Sequence, residues 1–281
     1  MVAAMASFAI SDLFIKFAAR TLSGAEIMLF MGIFGFAIFA VLTRRSGLRV
    51  VSPVFFNRIV LIRNLAEMVG TVCMISALVL APLSLVTSIS QAMPLVVTAG
   101  AALFLGEKVG ARRWGAVIVG LIGVLLILRP GSAELSLGAL LAVGATLGLG
   151  ARDVVTRLVP RGISNLQLAA YAFAVLIPSG GLMVALTGGF GTPDPADLGW
   201  LAAATLSVAV AYYAITAAMR LGDVSLVTPF RYSRLIFALF LAMVFLGERP
   251  DALTLAGGAI VIASGLYVLL RARYLARRGL S

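Results

Sequence analysis

FLGEKVGARR, residues 104–113, closes a long apolar run with a glutamate, and FLGERPDALT, residues 245–254, closes another in the same way. The chain has only 11 acidic residues in 281. A carboxylate at the C-terminal end of a helix opposes the helix dipole, so its use twice in one local context asks for a shared structural reason. The two copies lie 141 positions apart.

The same offset extends to both sides of this stretch. SLVT at 84–87 recurs at 225–228, Asp12 matches Asp153, Lys16 matches Arg157, Arg20 matches Arg161 and Ser23 matches Ser164. A one-residue adjustment then aligns Gly123 with Gly265 and Leu128-Arg129 with Leu270-Arg271. Apolar residues match easily by chance, whereas charged positions in register do not, so the chain divides into two repeats, 1–131 and 132–281.

Composition sets the medium. Hydrophobic residues make up 62% of the chain and charged residues 12%, which is the balance of an integral membrane protein. The net charge of +11 fits basic loops that orient membrane insertion, and so little polar surface leaves no room for a nucleic-acid groove. Histidine is absent and Cys73 is the one cysteine, which excludes a His/Cys metal site, a disulfide framework and a Cys/His dyad within one chain. No GxxxxGK[ST] loop occurs, and no cofactor is expected. The start, MVAAMASFAISDLF, has no basic n-region and reads as a retained span.

A membrane helix needs about 20 apolar residues. Charged or Gly/Pro-rich punctuation divides the chain into ten such segments, near 2–19, 25–43, 62–81, 84–105, 112–129, 136–158, 166–187, 197–219, 224–246 and 252–271. With the N-terminus inside, the cytoplasmic connections and tail hold fifteen basic residues against four outside, so both termini are placed in the cytoplasm. Trp114 and Trp200 sit near span ends as interfacial anchors. Five spans per repeat is an odd number, so the second repeat enters the membrane from the opposite side. The expected fold is an all-α membrane protein, two five-helix inverted repeats around a central cavity, with a substrate site where the halves meet.

Three runs carry a family resemblance: SDLFIKFAARTLSGAEI, ALVLAPLSLVTSISQAMPLVVTAGAALFLGEK, and its second copy AMRLGDVSLVTPFRYSRLIFALFLAMVFLGER. Together with the five-plus-five layout they resemble the EamA-type carriers of the drug/metabolite transporter superfamily over nearly the whole chain. The resemblance implies a bacterial inner-membrane carrier, commonly an exporter of amino acids or related metabolites, and is closest to the aromatic and general amino-acid exporters. The basic pair in PFRYSR, residues 229–234, departs from the usual apolar run at that place.

Ionisable groups inside spans are expensive and therefore functional candidates. Asp12 with Lys16, and Asp153 with Arg157, read as i,i+4 ion pairs, as a proton-coupling carboxyl in the case of Asp12, or as direct substrate contacts. Ser84, Thr87 or Ser88, Gln91 and Thr98 form a polar stripe on the fourth span, opposed on the ninth by Ser225, Thr228, Arg231 or Tyr232, and Arg234. Small hydroxyls can instead bond their own helix backbone. Pro94 should kink the fourth span beside Gln91. Arg231 and Arg234 offer guanidinium forks to a carboxylate or phosphate, Asn64 and Glu67 could meet an ammonium or pair locally with Arg63, and Tyr212, Tyr213 and Tyr232 could wall the site. Gly144 with Gly148, and Gly120 with Gly123, permit close helix approach. Glu107 and Glu248 are expected to fasten tight hairpins by accepting from the free N–H groups of the following helix, with gating contacts the alternative.

The expected function is secondary transport of amino acids or similar small metabolites outward across the inner membrane. Alternatives are export of cationic drugs or import of another metabolite. A membrane-embedded enzyme would need a nucleophile, base and orienter at workable spacing, and none is found. A fused two-repeat chain can act as a monomer whose partners are a small-molecule substrate and the lipid bilayer.

Overall fold

The structure, a computed structural model, describes residues 1–107, 109–130, 136–160, 162–187, 190–221 and 228–277. Regular structure among them is entirely helical: α1 (Val2–Ala18), α2 (Gly24–Arg45), α3 (Arg58–Leu80), α4 (Leu83–Ser90), α5 (Met93–Phe104), α6 (Ala111–Leu128), α7 (Leu137–Thr156), α8 (Asn165–Thr187), α9 (Pro195–Leu221), α10 (Ser233–Phe245) and α11 (Ala252–Arg277). Short 3-10 turns occupy Pro53–Phe56 and Thr228–Tyr232. Eight segments are long and apolar enough to cross a membrane, α4 and α5 counting as one. Ten were expected. α1, with 17 residues, and α10, with 13, are shorter than the others, and the start expected for the ninth span, including Ser225, lies outside the described residues.

The helices begin where the sequence supplies caps. Ser23 and Glu26 form a reciprocal capping box on α2, Asn57 accepts from Ile59 N–H at the start of α3, and Ser136 accepts from Ala139 N–H at the start of α7. Asp251 accepts from Thr254 N–H at 2.7 Å at the start of α11. That bond, with the Arg129 guanidinium beside it, holds the Asp251 carboxyl below its ordinary value. α11 runs on to Arg277, so Arg271 and Arg273, expected in a tail, are helical. Cations near a helix C-terminus complement its dipole.

The fourth span is divided. α4 ends at Ser90, Gln91 N–H bonds to Thr87 and Ser88 carbonyls at 3.2 and 3.3 Å, and Ala92 N–H bonds to Ile89 O at 3.0 Å. α5 restarts at Met93 with Pro94 in its first turn. Pro94 has no N–H to return to Ser90, so the ladder tightens and breaks there.

Packing pairs helices from the two ends of the chain: α3 on α7, α2 on α8, α6 on α11 and α1 on α9. Backbones touch at glycines. A Cβ on Gly148 would lie 2.7 Å from Gly70 Cα, and one on Gly257 would lie 2.6 Å from the Gly123 carbonyl, contacts that only small residues permit. The core draws on Ile27, Met28, Leu78, Leu83, Ile89, Leu201 and Val261, while Leu103, Phe104, Ile118, Leu121 and Phe240 face outward. An apolar outside suits lipid.

The two FLGE corners share one backbone. Gly106 and Gly247 adopt φ of 70° and 66°, the left-handed region that glycine enters without penalty. The turn returns Glu107 N–H to Ala101 O at 3.2 Å and Glu248 N–H to Ala242 O at 3.0 Å. The carboxylates, however, do not cap the helices that follow. Glu248 crosses to the start of α4, accepting from Leu83 N–H at 2.7 Å, Ser84 N–H at 2.9 Å and Ser84 Oγ at 2.6 Å. Those donors are buried behind Pro82, which provides no cap, whereas α11 already has Asp251. Glu107 instead receives Arg157 Nη1 at 2.6 Å.

Candidate functional site

The interior holds a chain of charges that bridges helices far apart in sequence. Arg63 and Glu67, one turn apart on α3, pair at 2.8 Å. Arg63 also donates to Asn64 Oδ1 and to the Leu168 carbonyl, both at 3.1 Å. Arg152 on α7 reaches Glu67 at 2.9 and 3.2 Å and its own neighbour Asp153 at 2.7 Å. Arg231, in the turn before α10, stands 3.9 Å from Asp153. Side-chain exposure rises along this chain, 5% at Arg63, 7% at Glu67, 16% at Arg152, 25% at Asp153 and 36% at Arg231. One end is buried and the other partly exposed.

A second pair lies beside it. Arg234 Nη2 donates to Asp12 Oδ2 at 2.6 Å, joining α1 to α10. The Arg234 guanidinium lies 5.3 Å from the Phe8 ring centroid, at cation–π distance. Phe8 meets Tyr212 edge to face at 6.1 Å, and Tyr212 meets Phe39 at 5.8 Å. Tyr212 is within electrostatic reach of Glu67, Arg152, Arg63 and Asp153, so the rings connect the two charge groups. Phe39, Tyr212 and the exposed Tyr213 also line a cavity of about 570 Å³ that extends to Ser164 and Asn165.

The i,i+4 pairs expected from the sequence do not form. Asp12 takes Arg234 rather than Lys16, and Lys16 Nζ donates to Ala81 O at 2.6 Å, a carbonyl at the end of α3. Asp153 takes Arg152, and Arg157 takes Glu107. Inside the bundle a carboxylate gains more from a planar guanidinium than from an ammonium on its own helix, and the lysine satisfies a helix-end carbonyl that lacks an intrahelical donor. Glu67 likewise has no room for a ligand ammonium, because Arg63 and Arg152 occupy its oxygens.

On the fourth span, Thr87, Ser88 and Gln91 are buried. Ser88 Oγ donates back to Ser84 O at 2.7 Å, and Thr98 Oγ1 to Pro94 O at 2.8 Å, the backbone use open to small hydroxyls. Gln91 Nε2 is buried without a partner among the described residues, and so is the hydroxyl of Tyr232. These two residues are equivalent at the 141-residue offset, Gln91 at the break between α4 and α5 and Tyr232 at the end of the 3-10 turn before α10. The side chains of Ser225 and Thr228 fall outside the description.

Sequence reasoning missed Phe8, Phe39 and Arg152. Arg152 carried a signal, an arginine beside a repeat-matched aspartate within an apolar span. Phe8 and Phe39 carried none, being two of 16 phenylalanines.

The profile of the EamA-like transporter family matches the chain twice, over residues 1–129 and 136–271. The chain belongs to the EamA-like transporter family. It is therefore a transporter and not an enzyme, with several helices fit to cross a membrane. This EamA-like chain is 31% identical over 211 residues to a riboflavin transporter of Rhizobium johnstonii, covering 74% of its own length and 69% of that protein. It is 24% identical over 263 residues to an S-adenosylmethionine uptake transporter of Rickettsia prowazekii, 92% and 87% of the two chains. A pseudopaline exporter of Pseudomonas aeruginosa is 26% identical over 275 residues, 94% and 93% of the two chains. One solved crystal structure superposes over 96% of this chain and 98% of its own with a TM-score of 0.64 at 20% identity, a likeness of fold.

Proposed function

We propose that this protein is a secondary transporter moving amino acids or related small metabolites out across the bacterial inner membrane, with both termini cytoplasmic and one chain sufficient. The observation that carries the reading is the charge chain from Arg63 to Arg231, which bridges both halves of the chain beside the divided fourth span and the turn that leads into α10. Interrupted helices meeting at a polar interior are how carriers place a substrate site. Gln91, Thr87, Ser88, Asn64, Tyr212, Arg231, Tyr232 and Arg234 are the side chains from which such a site is built, with Tyr213 at its rim. Asp12 and Arg234 form the pair whose opening would couple the cycle to protons.

Alternating access between repeats 1–131 and 132–281 is supported by the doubled family match and by the packing. At the 141-residue offset, α3 on α7 becomes α9 on α1, while α2 on α8 and α6 on α11 map onto themselves. That is the pattern of a two-fold axis between the halves. The two corners differ among the described residues: Glu248 is bound to the start of α4 and Glu107 to Arg157, an inequality that a carrier resting in one state would have. Relatives named for S-adenosylmethionine, itself an amino-acid derivative, and for pseudopaline favour a small metabolite, and the latter favours export.

One observation favours a second reading. Phe8, Tyr212, Phe39 and Phe173 form a run of ring contacts, and a relative is named for riboflavin, so import of a flat heteroaromatic metabolite is the rival. Proteoliposomes offered labelled amino acids, riboflavin and S-adenosylmethionine, with and without a pH gradient, decide between them. Amino-acid flux supports the first reading, riboflavin flux alone transfers the conclusion to the second, and flux of none contradicts both. Asp12→Asn should flatten the pH dependence of whichever flux appears.

A further inference from the structure

We infer that the site takes a monoanionic carboxylate with an aromatic body, held by Arg231, in preference to the zwitterionic amino acid of the same side chain. This deepens the transport reading and rests on it.

The argument begins with charge. Among the described residues, the interior cluster holds four arginines, 63, 152, 231 and 234, and three acids, Asp12, Glu67 and Asp153. One positive charge is in surplus. A ligand that brings one negative charge therefore balances the cluster.

The geometry identifies the surplus cation. Arg63 pairs with Glu67 at 2.8 Å, Arg152 with Asp153 at 2.7 Å and Arg234 with Asp12 at 2.6 Å. Arg231 approaches an acid only at 3.9 Å, at Oδ2 of Asp153, whose Oδ1 receives two N–H groups from Arg152. Arg231 is also the most exposed member of the chain, so a ligand arriving through water meets it first. Its guanidinium presents a planar fork matched to a carboxylate.

The same accounting disfavours an ammonium group. Glu67, Asp153 and Asp12 each already face a guanidinium of the cluster, so a zwitterion, which brings no net charge, would leave the surplus uncancelled. The body of the ligand has a surface to rest on. Arg234, one turn beyond Arg231, lies over Phe8, which leads to Tyr212 and Phe39. Offset or edge-on aromatic contacts there favour a ring.

The test is equilibrium binding to the purified full chain in nanodiscs, using phenylpyruvate, phenylalanine and phenethylamine, which share a ring and differ in charge. Phenylpyruvate should bind at least about tenfold tighter than phenylalanine, as one charge-assisted contact allows, and phenethylamine should bind weakest. Arg231→Gln should remove the preference, whereas Arg231→Lys, which keeps the charge and loses the fork, should keep part of it. A purely structural role would lower all three affinities together and leave their ratio intact. Phenylalanine binding as tightly as phenylpyruvate, no phenylpyruvate binding, or an unchanged ratio in Arg231→Gln would each overturn the inference. Binding needs no flux, so a preference for phenylpyruvate with no movement of any solute in proteoliposomes would sink the transport reading alone.

Discussion

The two FLGE corners have one backbone and two different lives. Both end a helix on a left-handed glycine and return the glutamate N–H to an alanine carbonyl. The carboxylate of Glu248 then binds three donors at the buried start of α4, while Glu107 meets Arg157 with both side chains about half exposed, 49% and 48%. Local sequence determines the turn, and the neighbouring helix determines what the carboxylate does.

The largest effect that can break this comparison is on stability. Glu248→Gln removes the charge from a cap whose donors are buried, at a cost of about 2–3 kcal/mol, which corresponds to a thermal midpoint lower by ~5–10 °C. Glu107→Gln disturbs an exposed pair worth no more than about 1 kcal/mol. Thermal unfolding of the purified variants measures both. Equal losses would mean that the corners differ less than their partners suggest.

A smaller effect sharpens what the corners share. Gly106→Ala and Gly247→Ala each place a Cβ in the left-handed region, with nothing within 4 Å to clash, so each should cost about 1–2 kcal/mol through backbone strain. The same assay should find the two variants alike. A large difference between them would show that the turns are not equivalent.

Eight of the ten apolar segments expected from the sequence are helices fit to cross a membrane, because a long apolar run is a local pattern. The sequence did not reveal the ion pairing. Asp12 and Lys16 sit one turn apart and read as partners, yet Asp12 is joined to Arg234, 222 residues away, and Lys16 to Ala81. Which interior cation reaches which acid depends on helix rotation and crossing, and periodicity in an apolar helix constrains these weakly. Pro94 was legible because the missing N–H acts on its own span. Phe8 was not, because its role exists only where α1, α9 and α10 meet.

The account's central contrast can be read directly from amide hydrogen exchange in nanodiscs at Leu83 and Ser84, compared with the amides that open α6 at 111–114. In the wild-type protein the Leu83 and Ser84 amides should be protected. In Glu248→Gln they should exchange at least about tenfold faster, as loss of a charge-assisted cap implies, while Glu107→Gln leaves the 111–114 amides unchanged. Leu83 and Ser84 amides that exchange at the same rate with and without the Glu248 carboxylate would contradict the claim that this carboxylate, unlike that of Glu107, caps the start of a neighbouring helix.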